Sequence, residues 1–335
     1  MIFSPKCNNS ITLTSFVHVH YILVSCTKQW SKTQQQEEKF PERKSQYIKY
    51  CKKYLWMIKY VWEKGEYDMK YVICDMDGTL LDSKKRLPSK LNKVIDELKK
   101  RDVIFGIASG RQYFNLYEQF PDHRDDMLFI AENGGIVYQG KTPVFADALP
   151  MEDIQRVIIK ARQIKDSYPI ACGMKSAYLE TEDAQFLKNA HMYYAHLEIV
   201  DDILTAIQND QIAKITLYDK RNAQTNSYAA IKADTGSLRP VVSGEDWVDI
   251  SNPTTSKGNA IAMLKTKYHL DIDDFVAFGD FMNDYEMMKE CTYSYAMANA
   301  HPDLKTVCNY ETCSNDEDGV IKAICALYDL DYEAL

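Results

Sequence analysis

From Tyr71 onward, short apolar runs alternate with amphipathic helical patterns, and few folds accept that order. Tyr71–Cys74 is apolar throughout, as a strand buried on both faces must be. Pro88 and Ser89 open a helix whose apolar face is Leu91, Val94, Ile95 and Leu98. Val103–Ala108 and Met127–Ala131 predict two more strands, the last followed by the turn Asn133-Gly134-Gly135. Strand, helix and strand in repetition predict an α/β fold with a doubly wound, Rossmann-like parallel sheet and right-handed crossovers.

A second block begins near Pro150. It predicts a helix over about Met151–Ile164, strands at Tyr168–Met174 and Ala177–Leu179, and a helix after Glu182. The strand Ile212–Tyr218, another helix and the strand Arg239–Ser243 follow. The first pattern then resumes with Trp247–Ile250, a helix after Ser256, the strand Phe275–Gly279 and a helix near Asn283–Glu290. The expected organisation is one core, residues 69–149 and 245–335, interrupted by an inserted α/β domain, residues 150–244.

The first 68 residues follow a different pattern. Glycine is absent before Gly65, and Gln34–Lys39 is a polar run. Over residues 47–61, Tyr47, Ile48, Cys51, Tyr54, Leu55, Ile58 and Val61 recur at helical spacing among lysines. Such a helix suits a membrane surface or a partner. The plainer reading, an extension outside the catalytic fold, is preferred. Met69 stands directly before the first strand, so a chain begun there loses none of the chemistry below, and the start is expected to be over-long.

Composition narrows the function. The chain of 335 residues is 46% hydrophobic, ordinary for a soluble protein, and carries a formal charge of -8. That acidic balance argues against nucleic acid and anionic membranes as general partners. The nine cysteines contain no CxxC pair, which disfavours zinc and redox motifs, and their odd count and irregular spacing suit a reducing compartment, expected to be the cytoplasm. The apolar stretch Ile11–Cys26 is too short to span a bilayer comfortably.

Four short segments carry candidate chemistry, and each is expected where a strand ends. Ligands of open α/β sheets bind at the carboxyl ends of the strands. Asp75-Met76-Asp77-Gly78-Thr79 places two carboxylates two residues apart, on one side of extended chain. They can hold a hard divalent cation, or one can attack phosphorus while the other moves a proton. A calcium loop would need glutamate at position twelve, where Arg86 stands. Ser109-Gly110-Arg111 follows the second strand, where a hydroxyl and free amides at a helix start can cradle phosphate. Ser256-Lys257-Gly258 opens a helix, and its lysine can neutralise phosphate and restrain a carboxylate. Gly279-Asp280-Phe281-Met282-Asn283-Asp284 follows Phe275–Phe278 and offers Asp280 to a metal, Asn283 to a ligand and Asp284 to either shell. Taken singly, these segments also read as a solvated turn, helix caps and a surface lysine.

Together and in this order they resemble the haloacid dehalogenase-like superfamily. Asp75-x-Asp77-Gly78-Thr79 is similar to its first motif, Ser109 to its second, Lys257 to its third, and Gly279-Asp280-x-x-Asn283-Asp284 to its fourth. Leu80-Leu81-Asp82, Ala108-Ser109-Gly110-Arg111, Glu132-Asn133-Gly134-Gly135 and Asp318-Gly319-Val320 resemble its Cof-type (IIB) subfamily, and the position of the insert resembles a C2 cap. The resemblance runs from about Met69 to the C-terminus.

It implies an aspartyl-phosphate intermediate on Asp75, with Asp77 as general acid and base. It implies Mg2+ between Asp75, the main-chain carbonyl of Asp77, and Asp280. Phosphoryl oxygens are expected at Ser109, Gly110, Lys257, Asn283 and the Met76 amide, with Arg111 and Asn133 facing the substrate. The insert would cover the site and choose the leaving group; it offers Lys175, Lys214 and several tyrosines. The expected activity is hydrolysis of sugar phosphates or phosphorylated cofactors such as pyridoxal phosphate or flavin mononucleotide. A phosphosugar mutase and a non-catalytic module binding a phosphometabolite are the alternatives.

Overall fold

A computed structural model describes residues 69–335. The extension, with the basic helix expected over residues 47–61, lies outside the described residues. Among those described, fourteen strands form two sheets. The first sheet contains β1 (Tyr71–Asp75), β2 (Ile104–Ala108), β3 (Leu128–Ala131), β4 (Ile136–Gln139), β5 (Thr142–Ala146), β12 (Phe275–Gly279), β13 (Tyr293–Ala296) and β14 (Tyr310–Glu311), in the order β14-β13-β12-β1-β2-β3-β4-β5. From β14 to β3 all neighbours are parallel, whereas β3, β4 and β5 are antiparallel.

The strand order reverses at the centre of this sheet. From β1 the chain moves outward through β2 and β3, and from β12 it moves the other way through β13 and β14. The crevice at the carboxyl ends of β1 and β12 is therefore the topological switch point, where open α/β sheets bind ligands. The register pairs Cys74 with Phe278, so the loops carrying Asp77 and Asp280 leave the sheet side by side. Val72, Ile73 and Cys74 are fully buried, as are Val276, Ala277 and Phe278. Burying a side chain of this size contributes about 1.5–3 kcal/mol.

The second sheet contains β6 (Ser167–Gly173), β7 (Ala177–Leu179), β8 (Leu197–Ile199), β9 (Ile212–Asp219), β10 (Arg239–Gly244) and β11 (Trp247–Ser251), in the order β10-β11-β9-β6-β7-β8. One face of it packs on the helices Met151–Ala161 and Ser227–Ile231 through Ile154, Val157, Ile215, Leu217 and Val248. Phe186 and Ala190 of the helix Ala184–Tyr193 pack with Ile170, Cys172 and Leu179 in a separate cluster.

Three expectations need correction. Trp247–Ile250 does not resume the first sheet but pairs antiparallel with β9 and β10 in the second. Its burial alternates, with Val248 and Ile250 inside and Trp247, Asp249 and Ser251 partly open, which is the signature of a half-buried antiparallel strand. The hairpin of β4 and β5 was not expected after Gly135. Nor does Ser109-Gly110 stand at a helix start, since the helix it precedes begins only at Tyr113.

The two sheets touch through several side chains. Gln112 donates to the His196 carbonyl (2.7 Å) and accepts from its amide (3.0 Å). The Tyr138 hydroxyl donates to the Met174 carbonyl at 2.8 Å. The connectors between the sheets are joined by Asp147, which accepts from Asn252 (2.8 Å) and Thr255 (2.6 Å).

Candidate active site

Asp75 ends β1, and its carboxylate is nearly shut off from solvent. Lys257, first residue of the helix Lys257–Tyr268, reaches it with Nζ 2.5 Å from Oδ1. The same ammonium donates to Asp284 Oδ1 at 2.6 Å, and both Lys257 and Asp284 are fully buried. Asp284 Oδ2 accepts from the amides of Asp280 (3.0 Å) and Phe281 (3.2 Å). Asp284 thus holds the loop after β12 and the lysine at once. Burial pushes the Asp75 carboxyl up to about 7, with Asp284 and Asp280 adding to the rise and Lys257 opposing it. Burial opposes the charge on Lys257, yet the two carboxylates outweigh it and raise its pKa.

Asp77 lies in a more open position. Arg111 grips it with Nε 3.0 Å from Oδ2 and a terminal nitrogen 2.9 Å from Oδ1, and Lys85 Nζ donates to Oδ1 at 2.8 Å. Partial burial raises its pKa, but hydrogen bonds and charge from Lys85 and Arg111 prevail and hold it below the usual carboxylate range. Met76, between the two aspartates, buries its side chain, and its carbonyl accepts from the amides of Leu80 and Leu81, curling the loop. Gly78, at φ +88°, leaves no room for a Cβ: that atom would stand 2.3 Å from Asp280 Oδ2. Thr79 donates to Asp280 Oδ1 at 2.9 Å.

The remaining loops converge on the same place. Ser109 is buried, and its hydroxyl accepts from the Arg111 amide at 3.3 Å. Its carbonyl accepts from the Asn133 amide at 2.9 Å. Asn133 Oδ1 accepts from Asn283 at 3.3 Å, and the Asn133 carboxamide faces Gly110, where a Cβ would meet it at 3.0 Å. Gly134, at φ +99°, lets this turn press against the carbonyl of Ser256, the residue that caps the Lys257 helix.

Oxygens of Asp75, Asp280 and Asp284 lie within 4.8 Å of one another. Hard oxygen donors in a buried cluster suit Mg2+. Asp284 already spends both oxygens, so Asp75 and Asp280 are the better ligands, with Asp284 behind them. The Asp77 carboxylate is held by Arg111 and Lys85 instead. Burial raises the pKa of Asp280, and nearby Asp284 adds to the rise; a cation would relieve this crowding of negative charge.

The profile of the haloacid dehalogenase-like hydrolases matches residues 72–324. The chain belongs to the haloacid dehalogenase-like hydrolase family. It is 31% identical over 258 residues to the 5-amino-6-(5-phospho-D-ribitylamino)uracil phosphatase YbjI of Escherichia coli K12, covering 76% of this chain and 95% of that one. Among solved structures, SMU.1108c from Streptococcus mutans UA159 shares 30% identity and a TM-score of 0.64 over 77% of this chain and 98% of its own. The subclass IIB sugar phosphatase BT4131 shares the fold at 19% identity and a TM-score of 0.61, over 77% of this chain and 98% of its own. The chain is thus a hydrolase of the family that the motifs implied, and its E. coli relative is a phosphatase.

Several groups at the site escaped sequence reading. Lys85 belongs to none of the motifs, and Thr79 enters only as the end of the first one. Glu132 and Lys214 sit in different blocks and nothing local connects them, yet Lys214 Nζ lies 2.6 Å from Glu132 Oε2. Lys175, the other lysine noted in the insert, makes no such contact with the first sheet; it donates to the Asn209 carbonyl.

Proposed function

We propose that this phosphatase hydrolyses small phosphate monoesters in two steps, with Asp75 as nucleophile and Asp77 as acid and base. The observation that carries this reading is the buried contact of Lys257 with Asp75, beside a second carboxylate at Asp77. In the first step an Asp75 oxygen attacks phosphorus, the bond from phosphorus to the leaving oxygen breaks, and Asp77 gives that oxygen a proton. In the second, Asp77 takes a proton from water; the water oxygen attacks phosphorus and the bond to Asp75 breaks, releasing phosphate and restoring the Asp75 carboxylate and the protonated Asp77. A bound Mg2+ would supply positive charge that lets a dianionic phosphate approach a carboxylate.

The chain's own groups do the rest. Lys257 keeps the attacking carboxylate in one orientation and faces developing negative charge. Ser109, Gly110, Asn283 and the Met76 amide hold phosphoryl oxygens, with Asn133 and Arg111 at the edge toward the substrate. Arg111 and Lys85 favour the ionised form of Asp77 while the site is empty. An arriving phosphate competes for those cations and brings negative charge close, and both effects raise the proton affinity of Asp77.

The second sheet, as a cap over the crevice, would choose the leaving group and exclude water. Its strands extend that cap to Ser251, beyond the boundary at 244 that the sequence suggested. The E. coli relative's name supports a phosphorylated sugar alcohol, sugar or cofactor as substrate. No helix of the described residues is long and apolar enough to cross a membrane; a cytoplasmic enzyme acting on small metabolites is the reading we adopt.

The test is phosphate release from sugar phosphates, pyridoxal phosphate, flavin mononucleotide and p-nitrophenyl phosphate, with and without Mg2+. Metal-dependent release that Asp75→Asn abolishes is the expected result. Release that survives this substitution would remove Asp75 as nucleophile. Phosphoryl transfer between sugars without net release would favour a mutase.

A further inference from the structure

Three consecutive residues after β3 have left-handed backbone: Glu132 (φ +51°), Asn133 (φ +54°) and Gly134 (φ +99°). Glycine accepts that conformation and asparagine tolerates it, but glutamate does so at a steric cost. Such strain persists only where the surroundings enforce it.

This turn touches three other loops of the site. The Glu132 amide donates to the Arg111 carbonyl (3.1 Å) and the Asn133 amide to the Ser109 carbonyl (2.9 Å). The Asn133 side chain meets Asn283 and Gly110, and Gly134 presses on Ser256, next to Lys257. A shift of the turn therefore shifts the groups around the phosphoryl position together.

What holds the Glu132 side chain comes from the other sheet. Its carboxylate is buried, and among the described residues neither oxygen has a well-aligned hydrogen-bond partner. Lys214, buried in β9, brings Nζ to 2.6 Å from Oε2. Asp249 of β11 stands 3.7 Å from the same ammonium and also accepts from the Thr216 hydroxyl at 2.7 Å, which braces the lysine's side of the pair. A buried carboxylate stripped of its partner cation would not hold a strained turn in place.

We infer that Lys214 is a positioning residue for the phosphate cradle: seated on the second sheet, it fixes Glu132 and through it Asn133 and Gly134. The cradle is complete only while the second sheet is docked on the first, so closure over a substrate is coupled to readiness for phosphoryl transfer. This rests on the phosphatase reading above.

The test compares Lys214→Met, Glu132→Gln and the double variant with wild type, all loaded with Mg2+. The readouts are kcat and KM for p-nitrophenyl phosphate and for a sugar phosphate, and the affinity for inorganic phosphate by calorimetry. Each single variant should lose about 10- to 100-fold in kcat, the range typical when an outer support of a site is removed. The loss should be equal for both esters, because the phosphoryl group is what they share, and phosphate should bind more weakly. The double variant leaves no charge buried at the pair, so it should melt no lower than the singles, and it should lose no more activity than they do. Unchanged kcat and phosphate affinity in the double variant, with only a lower melting temperature in the singles, would overturn the inference. So would a loss confined to one leaving group. A wild type that releases no phosphate would sink the phosphatase reading instead, and the phosphate titration would still decide this one.

Discussion

Lys257 Nζ stands 2.5 Å from Asp75 Oδ1, with the lysine wholly enclosed by protein. Replacing a buried ion pair by apolar residues is often neutral or stabilising, so such a pair is poor evidence of a device for stability. Here it orients a carboxylate whose charge the fold would otherwise reject.

Removing the cation leaves Asp75 and Asp284 buried together. Lys257→Met should lower stability by about 3–5 kcal/mol at pH 8 and abolish turnover. The deficit should shrink in acid, as the two carboxyls take up protons. Denaturant titrations at both pH values check this; equal stability of variant and wild type at pH 8 would contradict it.

Asp75 binds its proton more tightly folded than unfolded, because its pKa rises from the ordinary carboxylate range to about 7. Protein without metal should therefore lose stability as pH rises from about 4 to about 7, the interval in which the unfolded chain has released the proton and the folded one has not. Asp75→Asn should flatten that decline and melt higher than wild type at pH 8, while releasing no phosphate. Mg2+ should raise the wild-type melting temperature most at the alkaline end. Melting curves across pH with EDTA or Mg2+ provide the check.

Asp77→Asn should be felt in proportion to how badly the leaving group needs a proton. For a sugar phosphate the loss should be about 100- to 10,000-fold in kcat, the usual worth of a general acid or base. With p-nitrophenyl phosphate the first step should survive and phospho-enzyme should accumulate, since the base for hydrolysis is missing. Mass spectrometry of quenched reactions detects that adduct, and its absence during a burst of nitrophenolate would count against Asp77 as the base.

Lys85 lies on the exposed side of Asp77 and lowers its pKa. An acid must carry its proton, so Lys85→Ala should raise the Asp77 pKa and move the alkaline limb of the kcat profile to higher pH. A profile that stays in place would show that Arg111 alone sets this proton.

Gly134→Ala places a Cβ about where the Ser256 carbonyl already is, 2.1 Å from that oxygen, at a φ that alanine resists. Backbone strain alone should cost about 1–3 kcal/mol, and displacement of the Lys257 helix start should lower kcat as well. An alanine variant with wild-type stability and turnover would mean that the close approach has slack.

Much of the fold was legible because it is written locally. The apolar run Tyr71–Cys74 and the carboxylates that end it are contiguous, and so are Phe275–Phe278 and Asp280. Period and punctuation tell which residues face inward and where a strand stops. They do not tell which sheet a strand joins. Trp247–Ser251 alternates inside and outside as any half-buried strand does, and only its pairing with β9 and β10 places it in the second sheet.

Charges show the same division more sharply. By its sequence alone Lys257 is a lysine near a helix start, and Lys214 a lysine in a strand. Packing removes both from water and sets one against Asp75, 182 positions away, and the other against Glu132. The sequence by itself determined the strands, the helix starts and the candidate carboxylates, because those depend on neighbours in the chain. Tertiary structure alone decided which carboxylate is raised toward neutrality, which is kept ionised by Arg111 and Lys85, and which lysine spans the sheets. Ionisation depends on burial and on charges a few ångströms away, and those distances exist only once the chain has closed on itself.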